Sequence, residues 1–543
     1  MPSFKLVAAL VALTALAFPI VAQPEDKDET KKSESKSVPE FVAYPDDAST
    51  TYHTCEINGE TIHYEATAGT IVLVKDEATE AKPSAKMFYI SYRRTLSPGD
   101  EYNAKKEAGE DVPESNYPDA TKRPITFSFN GGPGSSSVWL HLGIFGPKKV
   151  AYADDEGRPG PPPYRVEANP NSLLDKSDFV FIDPVSTGFS RAQGDTSAKE
   201  FHGLESDIAS VANFIKRYIT RNGRWSSPLY IAGESYGTTR AAGLTHHLQG
   251  QHGISVNGVI LVSGIIEFST LRFGQGNDIP YICFFPSYAA TAHYHNMLPP
   301  EHQNKPIDEF YKEAEAFALG DYASALIKGA RLTQAEEDDI VRRMADFTGL
   351  KPEFIRRANL RVDQGRFCKE LLREKGLTVG RFDSRFTGRD RDGVGDTYDY
   401  DPSYAVIRSN YTESFNAYIR EELGFESDLS YEILTNVWPW DYGRAGEARY
   451  VNVAERLRSV MHEQPHIRVF IASGYHDLAT PPLGMDYTHA HMQLADELYE
   501  NIKNYYYVGG HMMYLDEASM AKLKADLDSF YASVPVGLSG EDQ

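Results

Sequence analysis

PLYIAGESYGTTRAAGLTHHLQ, residues 228–249, is the stretch from which the fold can be read. PLYIA is short and apolar, the composition of a buried strand. TTRAAGLTHHLQ reads as a helix. Between them lies Gly233-Glu234-Ser235-Tyr236-Gly237. This is G-x-S-x-G in a strand–turn–helix setting, the nucleophile elbow. Glycines at both ends allow the sharp turn and close packing. The turn exposes the Ser235 hydroxyl at the helix N-terminus, where the dipole favours developing negative charge. Ser235 is therefore the candidate nucleophile.

Runs of the same kind flank the elbow on both sides: PITFSFN (124–130), DFVFIDP (178–184), VNGVILVSG (256–264), IRVFIASG (467–474) and NYYYVGG (504–510). Each leads into a turn rich in Gly, Pro or Asp. Short apolar runs suit parallel strands buried on both faces. SDIASVANFIKRYITRN (206–222) and ARYVNVAERLRSVMHEQ (448–464) supply helical patterns between them. The alternation implies a mostly parallel sheet with helices on both faces, the α/β-hydrolase fold. Upstream, ETIHYEATAGTIVLV (60–74) and AKMFYISYRR (85–94) predict an antiparallel hairpin or meander. The rhythm breaks over 268–440, which reads mostly helical. Thr333 and Glu336 there have capping-box spacing. The expected organisation is a hydrolase domain over 49–267 and 441–535, with a helical cap inserted over 268–440. Removing that cap is expected to alter substrate choice more than chemistry.

A serine hydroxyl is a weak nucleophile without a base. In this fold the acid and the histidine follow the serine, each on a loop after a later strand. Tyr475-His476-Asp477 follows IRVFIASG, and His511 follows NYYYVGG. Asp477 and His511 are the expected partners, with MDYTHAHMQLADELYEN (485–501) as the helix between them. His476 and Asp486 are the local rivals. The oxyanion hole needs two backbone donors. One is expected from Tyr236, the residue after the nucleophile. The other is expected from Gly132 in Asn130-Gly131-Gly132-Pro133-Gly134-Ser135-Ser136-Ser137, the loop after ITFSF.

The 543 residues carry 55 basic and 77 acidic side chains, a formal net charge of −22. With no local basic patch, nucleic acid and anionic lipid are not expected partners. Lys5 followed by the apolar run Leu6–Ala22 reads as a secretory signal peptide over 1–22, cut after Ala22. Residues 23–48 then read as a disordered linker. The mature protein is expected to be secreted or periplasmic, with no membrane segment. Cys55, Cys283 and Cys368 permit one bridge at most, with Cys283–Cys368 a candidate pair. No zinc-ligand spacing appears, and this chemistry calls for no metal or other cofactor. The Asp-rich GRDRDGVGDTYDYD (388–401) does not match an EF-hand. Asn410-Tyr411-Thr412 is a glycosylation sequon.

NGGPGSSS (130–137), FIDPVSTGFS (181–190), GESYG (233–237), SGYHDLATP (473–481) and GGHMMY (509–514) stand in that order. The set resembles the motif blocks of the serine carboxypeptidases (peptidase family S10), across about residues 124 to 515. The resemblance implies removal of single residues from peptide C-termini through an acyl-enzyme on Ser235. It also implies that Asn130, the Gly131 amide and Glu234 bind the substrate's terminal carboxylate. Three positions depart from the family pattern. Ser135 stands where the family carries a disulfide-bonded Cys, and Ser128 where it carries a Trp. Ile144 stands where it carries a second carboxylate-binding acid. An acid restored at 144 is expected to sharpen selectivity for free C-termini. The last departure leaves open an esterase, amidase or acyltransferase on the same fold. A binding protein without catalysis is the remaining alternative.

Overall fold

The computed structural model describes residues 47–76, 80–446 and 450–537. The expected signal peptide and nearly all of the expected linker lie outside the described residues. Three long strands open the fold: β1 (Ala48–Ile57), β2 (Glu60–Asp76) and β3 (Glu80–Thr95). They form an antiparallel meander, as the alternating β-branched and aromatic runs predict. Six short strands follow: β4 (Ile125–Phe129), β5 (Asp178–Ile182), β6 (Leu229–Ser235), β7 (Gly258–Gly264), β8 (Arg468–Gly474) and β9 (Ile502–Tyr507). They are the six runs read from the sequence. The sheet order is β1-β2-β3-β5-β4-β6-β7-β8-β9, and a tenth short strand, Arg191–Ala192, pairs with β3. β3 and β5 are antiparallel, and every pairing beyond β5 is parallel.

The principal helices are α1 (Leu204–Arg221), α2 (Tyr236–His252), α3 (Ile279–Tyr294), α4 (Ile307–Phe317), α5 (Gln334–Thr348), α6 (Pro402–Glu421), α7 (Ala454–Glu463) and α8 (Glu517–Ser533). Strand side chains alternate between two cores because the pleat has period two. Val180, Ile182, Val259 and Leu261 join Ile208 and Ile215 of α1, Leu248 of α2 and Leu457 of α7 on one face. Phe179, Phe181, Ile260 and Val262 join Phe415 of α6 and Leu523 of α8 on the other. Burial on both faces is why these strands read as unbroken apolar runs. This is the α/β-hydrolase fold.

The 268–440 stretch divides its apolar side chains between two cores. Phe285 of α3, Phe310 of α4 and Met344 of α5 build a third core with Leu478 and Leu483. α6 instead packs into the second face of the sheet. Thr333 caps α5 as expected: its hydroxyl accepts from the Glu336 amide at 3.3 Å, and Glu336 Oε2 accepts from the Thr333 amide at 2.8 Å. The expected helix at 485–501 forms as two pieces, Pro482–Ala490 and Asp496–Tyr499. The Cys283–Cys368 pair is not formed, and all three cysteines are free thiols. Asn410 is fully buried in α6 beneath the Ala151 carbonyl, so its sequon is not open to glycosylation in the folded chain.

Candidate active site

β6 ends at Ser235, whose backbone turns through φ 59°, ψ −132° before α2 begins. L-residues seldom adopt this conformation, and neighbouring structure must hold it. The flanking glycines make the turn fit. A Cβ on Gly233 would lie 2.2 Å from the Gly237 carbonyl oxygen, and one on Gly237 would lie 2.9 Å from that of Phe129.

The Gly-rich loop after β4 lies directly on this turn, since a Cβ on Gly131 would sit 2.4 Å from the Tyr236 amide nitrogen. Gly132 follows at φ 101°. A buried ion pair braces the junction: Arg240 Nε meets Asp207 at 2.7 Å, and its Nη1 donates to the Asn130 carbonyl at 2.6 Å. Among the described residues the amides of Gly131, Gly132 and Tyr236 donate to no protein acceptor. Asn130 Oδ1 accepts from the Leu140 amide, while its buried Nδ2 makes no well-formed hydrogen bond but lies close enough to Glu234 to act on its carboxyl. Three backbone donors are therefore open around one serine, with Asn130 Nδ2 beside them. The Tyr236 ring points away from them, its hydroxyl accepting from Trp440 Nε1 at 3.1 Å.

Because β8 and β9 run parallel to β6, their loops emerge at the same end of the sheet. His511 Nδ1 bonds Asp477 Oδ2 at 2.8 Å. Asp477 Oδ1 accepts from the Ala479 and Thr480 amides at 2.7 and 2.9 Å, which fixes the carboxylate against the ring. The Thr480 hydroxyl adds a contact of 2.8 Å to Oδ2. Burial opposes a charged imidazole, but the Asp477 charge and hydrogen bond, with the Glu234 charge, outweigh it and raise the His511 pKa. Ser235 and His511 line one cavity of about 490 Å³. The resting Ser235 hydroxyl is not hydrogen-bonded to the ring; such contacts often tighten only when substrate binds.

The rivals lie elsewhere. His476 is buried outside the cavity lining, and desolvation lowers its pKa to about 3. Asp486 accepts from Asn504 and Tyr506 rather than from His511.

Glu234 lines the same cavity as Asn130, Gly131 and Ser235. Desolvation is the main reason its pKa rises to about 7, and His511 and Tyr514 moderate the rise. Tyr514 donates to Glu234 Oε2 at 2.6 Å. Ile144 is not at the cavity; it is fully buried in the second core. The neighbouring Gly143 clears space for the Tyr514 ring, which a Cβ would approach to 2.3 Å. A phenol thus partners Glu234. Ser135 accepts from Trp139 Nε1 at 2.8 Å and so fixes an indole in the cavity wall. Ser128 is buried, with its hydroxyl unpartnered.

Sequence reasoning missed several residues of the site. Tyr514 and Thr480, which contact Glu234 and Asp477 from behind the cavity wall, stand inside the quoted blocks GGHMMY and SGYHDLATP, where only the acid and the base carry a local signal. Arg381, Phe382, Tyr404 and Ile407 come from the 268–440 stretch and carry no local motif. Carboxylates of 388–401 have structural partners: Asp390 pairs with Lys369, Asp399 accepts from the Arg391 and Asp392 amides, and Asp401 accepts from the Ser403 amide at the start of α6.

The family model of the serine carboxypeptidases matches residues 112–521. The chain belongs to the serine carboxypeptidase family. Serine carboxypeptidase-like 36 of Arabidopsis thaliana is 26% identical over 186 residues, 33% of this chain and 32% of that protein. Serine carboxypeptidase-like 9 of the same plant is 23% identical over 206 residues, 37% of this chain and 41% of that protein. The chain thus matches less than half the length of either relative. A solved proline iminopeptidase of Mycobacterium smegmatis aligns at 12% identity over 86% of this chain and 97% of its own, with a TM-score of 0.33.

Proposed function

We propose that the protein is a serine carboxypeptidase acting through an acyl-enzyme on Ser235. The observation that carries the reading is the shared cavity: Ser235, an Asp477-bound His511 and a Glu234 of raised pKa stand together in it. His511 takes the Ser235 proton as the hydroxyl attacks the scissile carbonyl, while Asp477 holds the tautomer and the imidazolium that forms. The Gly132 and Tyr236 amides stabilise the oxyanion. His511 then gives the proton to the leaving amine, and water releases the acyl group by the same route. The departing residue's carboxylate rests on Asn130 Nδ2, the Gly131 amide and a protonated Glu234.

Three experiments test this. A fluorophosphonate probe is expected to label the wild type and not Ser235→Ala. Turnover should fall by about four to six orders of magnitude in Ser235→Ala and nearly as far in His511→Ala, because the triad acts as a unit. Asp477→Asn should retain more. If Ser235→Ala keeps a tenth of wild-type turnover, the mechanism is wrong. A blocked dipeptide with a free C-terminus should be cleaved in preference to its amide, which marks a carboxypeptidase rather than a general esterase or amidase. The reading includes export, so the secreted protein should begin at Gln23. Among the described residues no helix is long and apolar enough to cross a membrane.

A further inference from the structure

Buried arginines in this protein are paired. Arg123 and Arg224 share Asp178, Arg240 meets Asp207, and Arg385 meets Asp383 and Asp516. Such pairing is what removal from water demands. Arg381 departs from the pattern. It is half-buried and lines the cavity that holds Ser235 and His511. Among the described residues its guanidinium makes no ion pair and no hydrogen bond. Its hydrogen bonds are made by the main chain: the N–H donates to Asp401 Oδ1 at 3.0 Å, and the carbonyl accepts from the Leu478 amide at 3.0 Å. The same Asp401 oxygen also accepts from the Ser403 amide, capping α6.

The guanidinium carbon lies 5.0 Å from the centre of the Phe382 ring. That ring in turn lies 5.1 Å from the His511 imidazole, centre to centre. The cation therefore stands one aromatic ring away from the base. Contact with a ring face leaves the N–H fork of an arginine unused, and that fork matches a carboxylate in two parallel hydrogen bonds. Glu234 shares the cavity but forms no ion pair with Arg381. Trp139, Tyr404 and Met512 add apolar surface to the wall around them. A charge facing such a wall gains strength as substrate excludes water.

We propose that Arg381 selects substrates by pairing with a carboxylate of the bound peptide. The proposal rests on the carboxypeptidase reading above. The carboxylate has two sources: an Asp or Glu side chain beside the scissile bond, or the peptide's own C-terminus. The guanidinium comes from the inserted stretch, whereas Asn130, Gly131 and Glu234 come from the sheet domain. All four line the same cavity, so one bound peptide can meet both sets of donors.

The test uses the full-length protein and blocked dipeptides with Glu, Gln or Lys on either side of the scissile bond, each as free acid and as amide. kcat and KM are measured separately for the wild type, Arg381→Gln, Arg381→Lys and Arg381→Glu. A charge-assisted pair predicts that the wild type favours Glu over Gln about tenfold or more, mainly through KM. That ratio should fall to about one in Arg381→Gln, survive in part in Arg381→Lys, and turn in favour of Lys peptides in Arg381→Glu. If the partner is the C-terminus instead, Arg381→Gln raises KM for every free acid and for no amide. Either pattern supports the proposal. Wild-type and Arg381→Gln profiles that match across the whole set, with matching circular dichroism, overturn it and leave the carboxypeptidase reading intact. A wild type that takes the probe but cleaves none of the peptides overturns both.

Discussion

At Glu234 the two carboxyl oxygens have different surroundings. Tyr514 donates to Oε2, which leaves Oε1 to carry a proton. With a pKa near 7, Glu234 is mostly protonated in mildly acid solution. It can then donate to a substrate carboxylate; once ionised, it repels one. KM for free-carboxylate peptides should therefore be low below about pH 7 and climb as pH rises through that value. Glu234→Gln should flatten this profile without abolishing kcat. Tyr514→Phe removes a donor that favours the ionised form, so the inflection should move to higher pH. KM–pH curves for the three proteins check all of this, and a wild-type KM unchanged from about pH 4 to 8 would remove Glu234 from the role. Ile144→Glu has a different outcome from the one its sequence position implies. The side chain is in a dry core and not at the cavity, so the acid should destabilise the fold by several kcal/mol without sharpening selectivity. Denaturant titration separates the two effects.

At the scale of elements, residues 268–440 do more than shape a pocket. The Phe382 carbonyl accepts from the His511 amide at 2.5 Å, and the Asp383 carboxylate accepts from the Gly510 amide at 3.1 Å. Arg385 holds Asp383 in place and reaches Asp516. A Cβ on Gly510 would come within 2.2 Å of the Phe382 carbonyl oxygen. The loop carrying His511 is thus clamped by residues 382–385. Deleting 268–440 should consequently abolish chemistry, contrary to the expectation from the location of the triad alone. Two gentler changes test the clamp. Asp383→Ala leaves Arg385 buried with only Asp516, a loss of about 3–5 kcal/mol in stability. Gly510→Ala should displace His511 and lower kcat more than it raises KM. If Gly510→Ala keeps full kcat, the clamp does not position the base. None of this was legible in the sequence. The elbow, the six strands and the Thr333 cap are local patterns, readable within a few residues. The clamp joins segments more than a hundred residues apart, and no periodicity or motif marks either one.

At the scale of the whole molecule, three apolar cores hold the chain, and the described cysteines add no cross-link. That the sheet would be doubly covered was readable from its unbroken apolar strands. That α6 would leave the other helices of 268–440 and join the sheet was not, because an apolar helical face does not say which surface it will meet. The three thiols sort by position. Burial raises the pKa of each, with Cys55 pushed up to about 12 and Cys283 and Cys368 higher still. Cys368 Sγ also accepts from Gln364 Nε2 at 3.1 Å. Thiolates are the reactive form, so all three should be slow toward alkylating reagents. In the native protein only the half-buried Cys55 should be modified, and slowly; denaturation should expose all three at once. Since a native disulfide is worth about 2–5 kcal/mol, its absence makes a second prediction on the same samples. The melting temperature should be identical with and without reductant. A fall of several degrees in reductant, or fewer than three thiols titrated in denaturant, would show that a bridge forms and that buried apolar surface alone does not hold this fold.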